Sequence, residues 1–186
     1  MDTDSKQNSM MKRSILALIV FGTIFTGCST VQSIIRSTFP YTAILVVPVT
    51  SKINTEQSAT SQASSFDQIF TGQASNTKSI RDVRVATVKI DATSPSGQTL
   101  GVFKSFKIYI SRGDSSKELL IASRNDVATT VGSSIMLDAD STLLVDNFIK
   151  GSTVRIRVEY VLRSAIASDI NLKASLGLSV APNTAK

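Results

Sequence analysis

The sequence predicts an all-β domain of antiparallel strands with one or two short helices, and three observations carry that expectation. Val154, Ile156, Val158, Tyr160 and Leu162 alternate with Arg155, Arg157, Glu159 and Arg163, a period of two that buries one face of a strand and wets the other. Ile170, Leu172, Ala174, Leu176, Leu178 and Val180 alternate in the same way with Asn171, Lys173, Ser175 and Ser179. Short apolar runs upstream are separated by Pro, Gly and Ser clusters, whereas near-helical spacing is confined to a few short stretches.

The remaining elements follow in chain order. Thr42 to Thr50 (TAILVVPVT) is β-branched and apolar, a strand buried on one or both faces; Pro48 has no N–H to donate, which favours an edge or a bulge. Ser51 to Ser65 is rich in Ser, Thr and Gln, and an exposed strand and a loop fit it equally. Ser65 to Phe70 (SFDQIF) fits a short helical turn closed by Gly72. From Ser79 to Thr93 the apolar parity changes between Val83 and Val85 on one side and Val88, Ile90 and Ala92 on the other. One extra residue at Ala86-Thr87, a β-bulge, produces that change.

SPSGQ, Ser94 to Gln98, is a turn. Phe106, Ile108 and Ile110 form a strand with Lys107, Tyr109 and Ser111 outward, and Glu118 to Ser123 is its hairpin partner beyond Arg112-Gly113-Asp114. Ser133 to Asp138 is a further strand. Leu143, Leu144 and Phe148 then lie at near-helical spacing, with Asp140 or Ser141 to cap the amino end and Gly151 to close it. The last two strands, joined through SAIAS (Ser164 to Ser168), are expected to pair with each other. Strands of this length and spacing predict a two-sheet sandwich of immunoglobulin-like type. No repeat of 20–50 residues indicates a solenoid or propeller.

Ahead of this domain, Lys12 and Arg13 precede an apolar core from Ile15 to Phe25 and small residues at Thr26 and Gly27, the layout of a secretory signal peptide. The run is about a dozen residues, short of the roughly 20 a spanning helix needs. Met10 and Met11 offer a second start of translation, at Met11. The one cysteine of the chain, Cys28, stands at the exit of the run. A lone thiol in an exported chain has no intramolecular partner.

Phe25-Thr26-Gly27-Cys28 resembles the lipobox of bacterial lipoproteins, with Phe25 where that family usually carries Leu. The resemblance implies that Cys28 becomes the acylated first residue of the mature chain. By the same resemblance Ser29, in the place where Asp favours inner-membrane retention, implies the outer membrane. The expected organisation is a signal peptide over 1–27, a lipidated tether over 28–40 and a single domain over 41–186. The domain itself loosely resembles small β-sandwich lipoproteins of Gram-negative bacteria.

Composition narrows the chemistry. The chain has no His and no Trp, which removes imidazole bases, Ser-His and Cys-His pairs and His-containing zinc sites. Of its net charge of +6, one unit leaves with Lys6, Lys12, Arg13, Asp2 and Asp4, and the mature +5 suits an anionic membrane or polysaccharide. Asp138, Asp140 and Asp146 lack the spacing of a calcium loop, and SPSGQTLG lacks the lysine of a phosphate loop. No metal, cofactor or catalytic residue is therefore assigned. Nor is nucleic acid expected as a partner, because aromatic platforms are missing.

The candidate sites are the acylated Cys28 and an anion-binding group of Lys107, Arg155, Arg157 and Lys173 on outward strand faces. Charges there also keep strands soluble and their edges unpaired. The expected function is a non-enzymatic, lipid-anchored envelope protein that binds a protein partner or supports an outer-membrane assembly. The alternative is a binding module for anionic glycan or lipid.

Overall fold

A computed structural model describes residues 37–65, 80–113, 117–149 and 153–182, all within one compact unit. The strands are β1 (Ser37–Val47), β2 (Glu56–Thr60), the two-residue β3 (Ser64–Ser65), β4 (Ile80–Ser94), β5 (Phe103–Arg112), β6 (Glu118–Arg124), β7 (Ser134–Ala139), β8 (Thr153–Leu162) and β9 (Ile170–Pro182). A single helical turn, α1 (Asp146–Ile149), and a 3-10 turn at Leu100–Val102 are the helices among the described residues.

The fold is all-β, as the alternation requires. All strand pairings are antiparallel, in the order β1-β9-β4-β7-β6-β5-β8-β2, with β3 also against β8. The sheet turns over at β7, whose residues up to Leu137 pair with β4 and whose last two, Asp138 and Ala139, pair with β6. Two leaves result, β1-β9-β4-β7 and β6-β5-β8-β2, the strand order of a jelly roll. Its two ends approach each other: the Tyr41 hydroxyl on β1 reaches Ser64 Oγ on β3 at 2.5 Å and the Val154 carbonyl at 3.3 Å. The sheet is thus nearly a barrel.

This corrects the immunoglobulin-like arrangement, in which the last two strands are neighbours in one sheet. Here β8 lies between β5 and β2, and β9 lies between β1 and β4, in opposite leaves. Alternation fixes which face of a strand is buried but not which strand sits beside it. The link after β8 passes over the end of the core from one leaf to the other instead of turning tightly, and none of its residues from 163 to 169 is buried. At its start Arg163 donates to the Val127 carbonyl at 2.5 Å, and at its end Asp169 accepts the Val49 N–H at 2.7 Å.

Inward rows from both leaves make one core. Val154, Ile156, Val158, Tyr160 and Leu162 of β8 meet Ile170, Leu172, Ala174, Leu176 and Leu178 of β9, all buried. Phe103 packs on Phe106 at 4.6 Å between ring centroids and edge-on to Tyr160 at 5.9 Å. The expected bulge is present, since the β4–β9 register shifts between Val85 and Thr87 while Val83, Val85, Val88 and Ile90 all stay buried. The turn at Ser94 to Gln98 and the β5–β6 hairpin also stand where the sequence placed them, with Gly97 at φ 78°.

Three details differ from expectation. The helical spacing around Leu144 yields only α1, because Leu144 forms a bridge to Arg84 instead. Asp140 accordingly caps a turn, accepting the Thr142 N–H at 2.9 Å. β1 begins at Ser37, before Tyr41, and Pro40 is tolerated there because among the described residues β1 is paired on one side only. Of the helical turn expected at Ser65 to Phe70, Ser65 belongs to β3, while the rest of it and the closing Gly151 lie outside the described residues.

Candidate interaction face

Three of the four basic residues singled out from the sequence share one outward surface. Lys107 on β5 and Arg155 and Arg157 on β8 all point away from the core. The register sets Lys107 opposite Glu159, Tyr109 opposite Arg157 and Ser111 opposite Arg155. β2 extends these rows with Ser58 and Thr60, and β6 with Leu120 and Glu118. Directly opposite residues on one face stand about 5 Å apart, close enough for their side chains to meet.

They meet as a connected network. Lys107 Nζ donates to Glu56 Oε2 at 2.6 Å and lies 3.5 Å from Glu159 Oε2. The Tyr109 hydroxyl donates to that same Glu159 oxygen at 2.8 Å. Arg157 grips Glu118 with Nε at 2.9 Å and Nη2 at 2.6 Å, and its Nη1 is 3.5 Å from Glu159 Oε1. This fork-to-carboxylate geometry is directional and stronger than a single contact. The guanidinium also lies 4.2 Å over the centre of the Tyr109 ring, a cation–π arrangement.

The network holds its members in their neutral-pH forms. Burial would raise the Glu159 carboxyl, but the Tyr109 hydrogen bond and the charges of Lys107 and Arg157 outweigh it and leave its pKa lowered. The Glu118 hydrogen bond raises Arg157, and the Glu56 hydrogen bond raises Lys107. Burial and the hydrogen bond to Glu159 raise the Tyr109 phenol, which stays a neutral donor. Three carboxylates thus face Lys107 and Arg157, while Arg155 forms no ion pair with another described residue. The surface is polar and preorganised, with its charges largely cancelled.

Lys173 stands apart, on β9 in the other leaf, 3.9 Å from Asp91 Oδ2. Arg163, although on an outward parity, is spent on the Val127 and Phe103 carbonyls. The three aspartates considered for calcium are engaged separately: Asp138 with Arg124 at 3.1 Å, Asp140 with Thr142, and Asp146 with the Val83 N–H at 3.0 Å. Among the described residues no group of three or more acidic, His or Cys side chains is placed to hold a metal. Cys28 lies outside the described residues.

Sequence reasoning missed Glu56 and Glu118. Glu118 was legible in principle, because a hairpin closing at Arg112 to Asp114 sets it beside Ser111, next to the Tyr109 row. Glu56 sits in the Ser- and Gln-rich stretch with no clear period, and nothing local points to its partner on β5.

No protein-family model and no curated protein matches the chain. A solved structure titled Desmodium yellow mottle tymovirus is similar at 11% identity and a TM-score of 0.28, over 81% of this chain and 91% of that one. Another, titled turnip yellow mosaic virus, is similar at 10% identity and a TM-score of 0.26, over 81% of this chain and 98% of that one. Likenesses this slight carry no argument about function.

Proposed function

We propose that this chain is a non-enzymatic lipoprotein of the bacterial envelope, acylated at Cys28, held at the outer membrane and binding a protein partner within an assembly there. The observation that supports partner binding is the compensated face built on Tyr109 and Arg157. Tyr and Arg are the residue types that dominate protein interfaces, and here both are held rigidly beside the exposed Leu120. The clustering of Lys107 and Arg157 with Arg155 also fits the alternative, an anionic glycan or lipid. Such a ligand would have to displace Glu56, Glu118 and Glu159 from their cations, which disfavours it.

Two measurements test the reading. A Cys28→Ser chain expressed in a bacterial host is expected to lose acyl labelling and leave the membrane fraction; full membrane retention overturns the anchor. Affinity purification of the acylated protein from crosslinked native membranes is expected to recover a stoichiometric protein partner that survives high salt. Charge-driven glycan or lipid binding weakens steeply with ionic strength. Recovery of glycan or lipopolysaccharide alone, lost on charge reversal of Arg155 and Arg157, overturns the partner.

A further inference from the structure

The outward face of the β1-β9-β4-β7 leaf differs in kind from the one just described. On β1 the core side takes Tyr41, Ala43, Leu45 and Val47, which leaves Ile44 and Val46 54% and 47% exposed. The register continues Ile44 into Lys173 of β9, Asp91 of β4 and Ser134 of β7. The adjoining row runs Thr42, Ser175, Lys89 and Met136, the last 47% exposed. Lys89 lies 2.9 Å and Lys173 3.9 Å from the two oxygens of Asp91, so two ammonium groups share one carboxylate and positive charge remains.

The face is therefore an apolar margin at β1 and β7 around two lysines with half their countercharge. Its four strands span only about 14 Å at the usual spacing near 4.8 Å, so lysines and apolar side chains reach one plane together. Lysine stems lie along apolar surface while their heads stay with polar phosphate. This combination is complementary to the headgroup region of an anionic bilayer, where basic residues meet phosphates and apolar side chains enter the acyl boundary. A protein interface core, by contrast, is depleted in Lys.

Chain length supplies the second argument. Cys28 precedes the first residue of β1 by nine positions, a link of at most roughly 30 Å even fully extended. An anchor at Cys28 thus holds this strand within a short reach of the lipid.

We propose that the outward face of the β1-β9-β4-β7 leaf lies on the anionic phospholipid surface in which Cys28 is anchored, leaving the Tyr109-Arg157 face turned away toward its partner. This rests on the reading of Cys28 as the acylated residue. In the acylated full chain an introduced cysteine is the one free thiol, so Ile44→Cys and, on the opposite leaf, Ser58→Cys each accept a single environment-sensitive fluorophore. Both positions are exposed, and neither substitution touches the core.

The labelled proteins are reconstituted into phosphatidylcholine vesicles with or without phosphatidylglycerol, together with a nitroxide-labelled phospholipid as quencher, and flotation is read in parallel. With phosphatidylglycerol the expected result is quenching at position 44 and none at 58. That quenching is lost in Lys89→Glu/Lys173→Glu protein, which still floats, and is lost at ionic strength near 1 M, where the screening length falls to about 3 Å. Flotation with equal quenching at 44 and 58 overturns the face alone. Protein that fails to float overturns the anchor and the face with it. Burial of the position-44 label that persists without phosphatidylglycerol and disappears on dilution of protein in lipid shows a second copy on this face, and overturns the proposal.

Discussion

β8 and β9 are alike on the inside and unlike on the outside. Each buries an unbroken inward row, five residues apiece from Val154 to Leu162 and from Ile170 to Leu178. Outward, β8 presents Arg155, Arg157 and Glu159, and β9 presents Asn171, Lys173, Ser175 and Ser179. What those side chains amount to depends on the strands alongside. β5, β2 and β6 bring Lys107, Tyr109, Glu56 and Glu118 to the β8 face and cancel its charge. β1 and β4 bring Ile44, Val46 and a single shared carboxylate to the β9 face. Charge on a strand is thus a local fact, whereas charge on a face is a property of register.

If the inward rows are equivalent, Ile156→Ala and Leu172→Ala should cost alike, about 2–5 kcal/mol each through lost burial and the cavity left behind. Equilibrium urea denaturation checks this, and a cost confined to one strand would break the symmetry of the core. The outer faces should then separate the two strands. Arg157→Ala removes a bidentate ion pair and the cover of the Tyr109 ring together, and its expected cost is roughly 1 kcal/mol, at the upper end for partly exposed pairs.

A smaller effect concerns acid. Because the folded-state pKa of Glu159 is lowered, the stabilisation it supplies is present at neutral pH and is lost as pH falls through that lowered value, below the ordinary glutamate range. Glu159→Gln should flatten this acid-side loss, by up to about 1 kcal/mol, in urea midpoints measured from neutral to acidic pH. Asp91, also lowered once Lys89, Ser134 and Lys173 outweigh its burial, gives the same sign on the other leaf. Smallest of all, Arg155→Ala should stay within about 0.5 kcal/mol, since its side chain is exposed and forms no ion pair with a described residue. A cost equal to that of Arg157→Ala would remove the distinction between paired and unpaired cations on this face.

The amino-acid sequence by itself determined the all-β class, the inward rows of β5, β8 and β9, the bulge at Ala86-Thr87, the turn at Pro95 to Gly97 and the β5–β6 hairpin. All of these are encoded within a dozen or so residues, as a period of two, a slip of parity or a turn residue. Tertiary structure decided that β8 and β9 part into opposite leaves. It also decided that Glu56, some fifty residues away in sequence, closes the salt bridge to Lys107, and that Lys173 leaves the basic group assumed for it. The physical reason is that an alternating strand specifies only the side it buries, and any apolar strand can serve as its neighbour. The choice among neighbours is made by the closure of the whole core, to which every strand contributes at once.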